Sequence, residues 1–243
     1  FGNPSRSQGR ISPDGQYVSW LAPRDGVMNI WVAPAANPES ARPLTRQTGR
    51  GITQYFWAPD SRHLLYVMDE GGNENFRLFG LSVEGGEARA LTPAEPNVRT
   101  TIQGVSRLRP EVVLVGRNNR NPQLFDLYEV DYRTGESRLV LENPGYAGFV
   151  TDQQLRPRFA FREVPGGART VFRRTEAGAW EEVMSIPVED ALTTALIGFN
   201  ADGSTLYMVD SRGRNTAALM RLGPARLQGE VIASSGRAEL ASA

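Results

Sequence analysis

The chain has 243 residues, with 27 acidic side chains balanced by 27 basic ones that are all Arg, and it contains no Cys. Balanced charge leaves no global field for nucleic acid or an acidic membrane surface. The missing Lys removes Walker-type phosphate loops, Schiff bases and Ser-Lys dyads, and the missing Cys removes disulfides, thiolate nucleophiles and cysteine zinc sites. No stretch approaches the roughly 18 consecutive apolar residues of a membrane helix, and a start at Phe1 reads as a processed or trimmed chain.

From the N-terminus, ISPDGQYVSWL (Ile11 to Leu21) places a Pro-Asp-Gly turn ahead of an alternating strand. The phrase returns as WAPDSRHLLYVM (Trp57 to Met68) and again as FNADGSTLYMVD (Phe199 to Asp210). The interval from Asp14 to Asp60 is that of a four-stranded propeller blade. Steps of similar length reach LRPEVVLVGRN, with Pro110 and Glu111 just before the strand, and VTDQQLRPRFAFR at Thr151 and Asp152.

Within each copy the order of signals is similar. After the strand that follows the turn comes a Gly/Asn/Asp-rich connection: PRDGVMN, EGGNEN, RNNRNP or SRGRN. A second strand follows, then a Gly-containing turn such as VEGGEAR, then a short strand ending in Leu-Thr or its equivalent, as in RPLT and RALT. The start of the next copy, as in ITQYFW, is expected to supply the fourth, innermost strand. With 16 Pro and 25 Gly punctuating the chain, no long helical period survives. The expectation is an all-β fold: a β-propeller of four-stranded blades, about five repeat units starting near 11, 57, 105, 149 and 198, in one domain over 1–243. One such sheet cannot bury both faces alone, so blades stack, with Trp20, Trp31, Trp57, Phe79 and Tyr207 expected between them.

The phrases ISPDGQYVSWLAPRDGVMNIWVAP, GNENF, NNRNPQLFDLY, YAGFVTD and SRGRNTAAL together resemble the N-terminal propeller of the prolyl oligopeptidase family of serine peptidases, in its acylaminoacyl-peptidase and dipeptidyl-aminopeptidase-like bacterial branch. The similarity runs from Phe1 to about Val231. It implies a propeller with more than five blades, part of an enzyme in which an α/β-hydrolase domain carries a Ser-Asp-His triad and the propeller restricts entry to short peptides. It also implies a periplasmic or secreted location. The partners implied are that hydrolase domain and short peptides, with no nucleic acid and no membrane.

The chain itself lacks the residues for catalysis. A nucleophile elbow needs G-x-S-x-G, and GVSRL at Gly104 to Leu108 lacks the last Gly. The sole histidine, His63, occupies the repeat slot of Tyr17 and Thr205, and Asp14, Asp60 and Asp202 recur as turn formers. No residue of this chain is therefore expected to be catalytic, and no metal or cofactor is expected. DEGGNEN gathers oxygen ligands, but not in the spacing of an EF-hand. Carboxylate pairs that a propeller glycosidase would need exist in sequence as Asp69, Glu70 and Glu74, or as Glu181 and Glu182. The residues expected to face substrate or the hydrolase domain are Asp69, Glu70, Glu74 and Asn75 in one connection, and Asn118, Asn119 and Arg120 in another. Glu74 is expected to hold a peptide amine and Asn75 to orient the peptide backbone. Two other readings stay open: a stand-alone binding propeller of the periplasm and a propeller glycosidase.

Overall fold

A computed structural model describes residues 5–238 and 240. The described residues form five four-stranded antiparallel sheets, and each sheet runs through its strands in chain order. The first holds β1 (Ser7–Ile11), β2 (Tyr17–Arg24), β3 (Val27–Pro34) and β4 (Arg42–Pro43); the second holds β5 (Tyr55–Trp57), β6 (His63–Met68), β7 (Arg77–Ser82) and β8 (Gly85–Ala90). The third is β9 (Thr100–Ser106), β10 (Arg109–Asn121), β11 (Leu124–Asp131) and β12 (Ser137–Leu141). The fourth is β13 (Gly148–Thr151), β14 (Pro157–Glu163), β15 (Arg169–Arg174) and β16 (Trp180–Ile186), and the fifth is β17 (Ala195–Phe199), β18 (Leu206–Asp210), β19 (Ala218–Gly223) and β20 (Gln228–Ala233). Two compact units result, one ending at Asn143 and the other beginning at Pro144. Among the described residues no helix is long and apolar enough to cross a membrane.

The recurring Asp makes the turn between the first two strands of its sheet. Asp14 accepts the Gln16 N–H at 3.0 Å and the Ser12 hydroxyl at 2.6 Å, while Gly15 closes the turn on the Ser12 carbonyl at a φ of 75°. Glycine adopts that left-handed backbone without steric cost. Asp60 accepts the N–H groups of Arg62 and His63 at 2.9 and 3.1 Å, and Asp202 accepts that of Ser204 at 2.8 Å. The Leu-Thr endings have an equally local cause. The Thr45 hydroxyl accepts the Ile30 N–H at 2.9 Å and the Thr92 hydroxyl accepts the Leu78 N–H at 3.0 Å, so each satisfies a buried third-strand donor.

Three expectations are corrected. The strand containing Tyr55–Trp57 pairs with His63–Met68, so it opens its own sheet and does not complete the preceding one. In the third copy, Pro110 and Glu111 lie inside the 13-residue β10, and the turn precedes them at Arg107 and Leu108. Of the aromatic residues expected between blades, Trp57 and Phe79 join the core shared by the first two sheets, whereas Trp20 and Trp31 cluster with Ala22 and Ala33 of their own sheet. Tyr207 lies between Leu206 and Met208, which pack toward the fourth sheet, and strand alternation turns it the other way.

Period-two alternation also shows how the second sheet buries both faces. Leu64 and Tyr66 of β6 pack on Leu21, Ile30 and Val32 of the first sheet, and Leu65 and Val67 pack toward Val113, Val115 and Val130 of the third. Each of these side chains that is fully buried, such as Leu64 and Leu65, contributes about 1.5–3 kcal/mol. A polar lock sits within the first of these cores. Ser19 Oγ lies 2.8 Å from Tyr55 Oη and accepts Trp57 Nε1–H at 2.9 Å, and burial pushes the Tyr55 phenol up to about 12. In the second unit, Phe159, Val171 and Ile186 of the fourth sheet meet Phe199, Leu206, Met208 and Leu222 of the fifth.

Candidate functional site

The connection 69–75 joins β6 to β7 and is shaped by one buried carboxylate. Asp69 Oδ2 accepts the Glu74 N–H at 3.0 Å and Arg50 Nη1–H at 3.2 Å, and Arg50 Nε lies 3.1 Å from Oδ1. Arg50 comes from the segment that leads into β5, so this ion pair ties hairpin to linker. Gly71 and Gly72 turn the chain at positive φ, Asn73 Oδ1 accepts the Asn75 N–H at 3.0 Å, and Glu74 is held at a φ of 59°. A non-glycine residue in that region is uncommon and is held by its surroundings. The Glu74 side chain is exposed. Glu70 reaches across the hairpin to Arg77, with Nη1–H donating to Oε1 at 2.8 Å, and Arg77 Nε–H also holds the Thr92 carbonyl at 3.1 Å.

The connection around 117–123 links β10 to β11 and is fixed mostly by its own side chains. Asn118 is buried: its Oδ1 accepts the Arg99 N–H at 2.6 Å and its Nδ2–H donates to the Pro122 carbonyl at 3.1 Å. Arg120 forks onto Asp126, with Nε and Nη2 at 2.9 and 2.8 Å, and its Nη2–H also reaches the Asn143 carbonyl at 2.9 Å. Asn119 is exposed and exchanges hydrogen bonds with the Tyr128 hydroxyl.

Between β8 and β9 the linker carries Glu95, and this residue connects the two hairpins. Its Oε1 lies 3.2 Å from Nη2 of the buried Arg117, which stacks over the Tyr128 ring at 5.6 Å and keeps an Nε–H without an acceptor. Glu95 also lines a cavity of about 250 Å³ together with Glu70, Asn73, Asn75 and Arg77, against Ala94 and Pro96. The Glu70–Arg77 pair and Glu95 therefore stand at one cavity, offering carboxylates for a cation, and Asn73 and Asn75 offer amide groups for a peptide backbone.

Of the residues expected from sequence, Glu70 and Asn75 line this cavity and Glu74 is exposed on the same hairpin. Asn119 is exposed outside the cavity lining, while Asp69, Asn118 and Arg120 hold backbone in place. Sequence reasoning missed Glu95, Arg77 and Arg117. The available signal was LTPAEPNVR, a Pro-flanked acidic linker one blade edge away from the Asn-rich connection. His63 Nδ1 does stand 2.6 Å from Asp60 Oδ2, but His63 opens strand β6, its ring lies against Tyr132 at 5.4 Å, and it is remote in the fold from the cavity lining. Glu181 pairs with Arg173 at 3.3 Å on β16. Among the described residues no three His, Cys, Asp or Glu side chains gather as a metal-ion site.

No family model matches the chain. It is 44% identical over 241 residues to dipeptidyl aminopeptidase BIII of Pseudoxanthomonas mexicana, covering 99% of this chain and 35% of that protein. The chain matches a propeller portion of a peptidase. Dipeptidyl peptidase family member 6 of Caenorhabditis elegans is 27% identical over 235 residues, covering 90% of this chain and 32% of that protein. The chain thus spans about a third of the length of these curated relatives. Among solved structures, a prolyl endopeptidase shares the fold at a TM-score of 0.65 and 13% identity, over 93% of this chain and 34% of the other. TolB of Acinetobacter baumannii superposes with a TM-score of 0.55 at 12% identity, over 93% and 55% of the two chains. The β-propeller domain of the trilobed protease of Pyrococcus furiosus does so at 0.52 and 16%, over 93% and 70%. At these identities the likeness concerns the fold, and the fold is an all-β propeller built of four-stranded blades.

Proposed function

We propose that this chain is the non-catalytic propeller portion of a bacterial serine peptidase and that it gates access of short peptides to an α/β-hydrolase active site lying outside it. The observation that carries the reading is the 44% identity along 99% of the chain to one third of a dipeptidyl aminopeptidase. Residue chemistry agrees: the chain has one His, no Cys and no G-x-S-x-G. The location that goes with this reading is the periplasm or the extracellular space, and the partners are the hydrolase domain and the peptide.

Within that reading the hairpin 69–75 faces the substrate. Glu74, exposed and fixed at positive φ, holds the free amine of a peptide, and Asn75 in the neighbouring cavity orients its backbone. The test uses the whole enzyme. Glu74→Gln should raise KM about tenfold for peptides with a free N-terminus, the size of one lost charge-assisted hydrogen bond, and leave N-acetylated peptides unchanged. An unchanged KM for free-amine peptides in Glu74→Gln would sink the amine assignment. A whole protein with no peptidase activity would sink the larger reading.

A further inference from the structure

The second unit contains a cavity that the proposed function leaves unused. It lies between the fourth and fifth sheets, has a volume of about 140 Å³, and is walled by Val150, Phe159, Phe161, Val171, Ile186 and Leu196. An apolar void of about this size, near 150 Å³, stays dry and accepts a benzene-sized guest. Arg169 at the start of β15 also lines it. This side chain lies over the Phe161 ring at 4.9 Å, and its Nη2–H donates to Glu163 Oε1 at 3.1 Å. Its Nε–H is buried and has no acceptor.

The two features together select a ligand. An apolar wall without a donor would take any small hydrophobe, and a buried donor without an acceptor is a cost that a ligand oxygen removes. A guanidinium can share its fork between two carboxylates, and Glu163 occupies only Nη2 of Arg169 from an exposed position. We infer that this cavity is a binding site for a small carboxylic acid with a compact apolar body, of the size of benzoate, its ring among Val171, Ile186 and Leu196 and its carboxylate on Arg169 Nε. The site owes nothing to the hairpin 69–75, so it stands or falls independently of the peptide reading.

The test is a titration of the full chain with benzoate, benzyl alcohol and toluene, followed by NMR of the Val, Ile and Leu methyl groups. Benzoate should shift the methyls of Val171, Ile186 and Leu196 and bind about tenfold tighter than benzyl alcohol, as expected for one charged hydrogen bond. Arg169→Met should remove the advantage of benzoate over benzyl alcohol and leave toluene, which has no oxygen, unaffected. Equal affinity for benzoate and benzyl alcohol in the unmodified chain would overturn the proposal, as would shifts confined to other methyls or no binding by any probe. That first comparison needs no variant, so it decides the matter even where a substitution unfolds the chain.

Discussion

Two hairpins at equivalent positions of their sheets handle a terminal aspartate differently. In the second sheet Asp69 is completely buried and takes its cation from Arg50, across the linker. In the fifth sheet Asp210 takes its cation from Arg212, two residues on, with both Nε and Nη2 at 2.8 Å. The linker there is tied instead by neutral and singly charged bonds: the Ser211 hydroxyl donates to Asp190 at 2.6 Å, and the Ser211 N–H donates to Thr194 Oγ1 at 3.0 Å. A carboxylate satisfied from afar leaves the rest of its hairpin to face outward, which is where Glu70, Glu74 and Asn75 stand. A carboxylate satisfied locally uses its hairpin for itself.

The largest effect expected from this contrast is on stability. Arg50→Met leaves the Asp69 charge buried with only the Glu74 N–H, and should cost about 3 kcal/mol in urea unfolding, the low end for an orphaned buried charge. Arg212→Met should cost about 1 kcal/mol, because Asp210 keeps the Arg212 N–H at 3.1 Å and is nearer to water. Equal costs would erase the distinction drawn between the hairpins. Next in size, Thr92→Val preserves shape but strands the buried Leu78 N–H, and should cost about 1–2 kcal/mol. Glu70→Gln loosens only an exposed pair with Arg77, so its stability cost should stay below about 0.5 kcal/mol.

Acid should act on the fifth sheet in a predictable direction. Burial alone would raise the Asp210 carboxyl, but hydrogen bonds and charge from Arg212 outweigh it and hold the group below its ordinary value of 3.8. A carboxyl depressed in the folded state contributes stability that is complete above the unfolded value and is lost as pH falls through the folded one. The loss therefore begins near pH 3.8 and continues below it. Asp152, whose burial is likewise outweighed by Arg156 and Arg158, behaves the same way. Asp210→Asn should flatten the fall in thermal midpoint below that pH. An unchanged acid slope in the variant would show that Asp210 takes no part in it.

The sheets were legible because their signals are local. An Asp that accepts the N–H two residues ahead writes its turn into four consecutive letters, and a Leu-Thr ending writes its cap into two. The third copy was harder because its turn, Ser106 to Arg109, has no Asp or Gly, and the nearest Pro sits inside the strand. Trp20, Trp31 and Tyr207 show a second limit. Alternation says that such residues share a face, but the face that meets a neighbouring sheet depends on packing far away in sequence. The cavity beside Glu70 shows a third: Glu95 and Arg117 are 22 residues apart, and they meet only because a linker folds back on a hairpin.

Each sheet is one unbroken run of chain, from Ser7 to Pro43 in the first and from Ala195 to Ala233 in the last. No described strand is borrowed from a distant part of the sequence. Loop closure is therefore paid over short separations, and a nascent chain can pair all four strands of one blade before the next has been synthesised. Order of emergence and order of assembly then coincide. Each new strand then finds its partner one hairpin away.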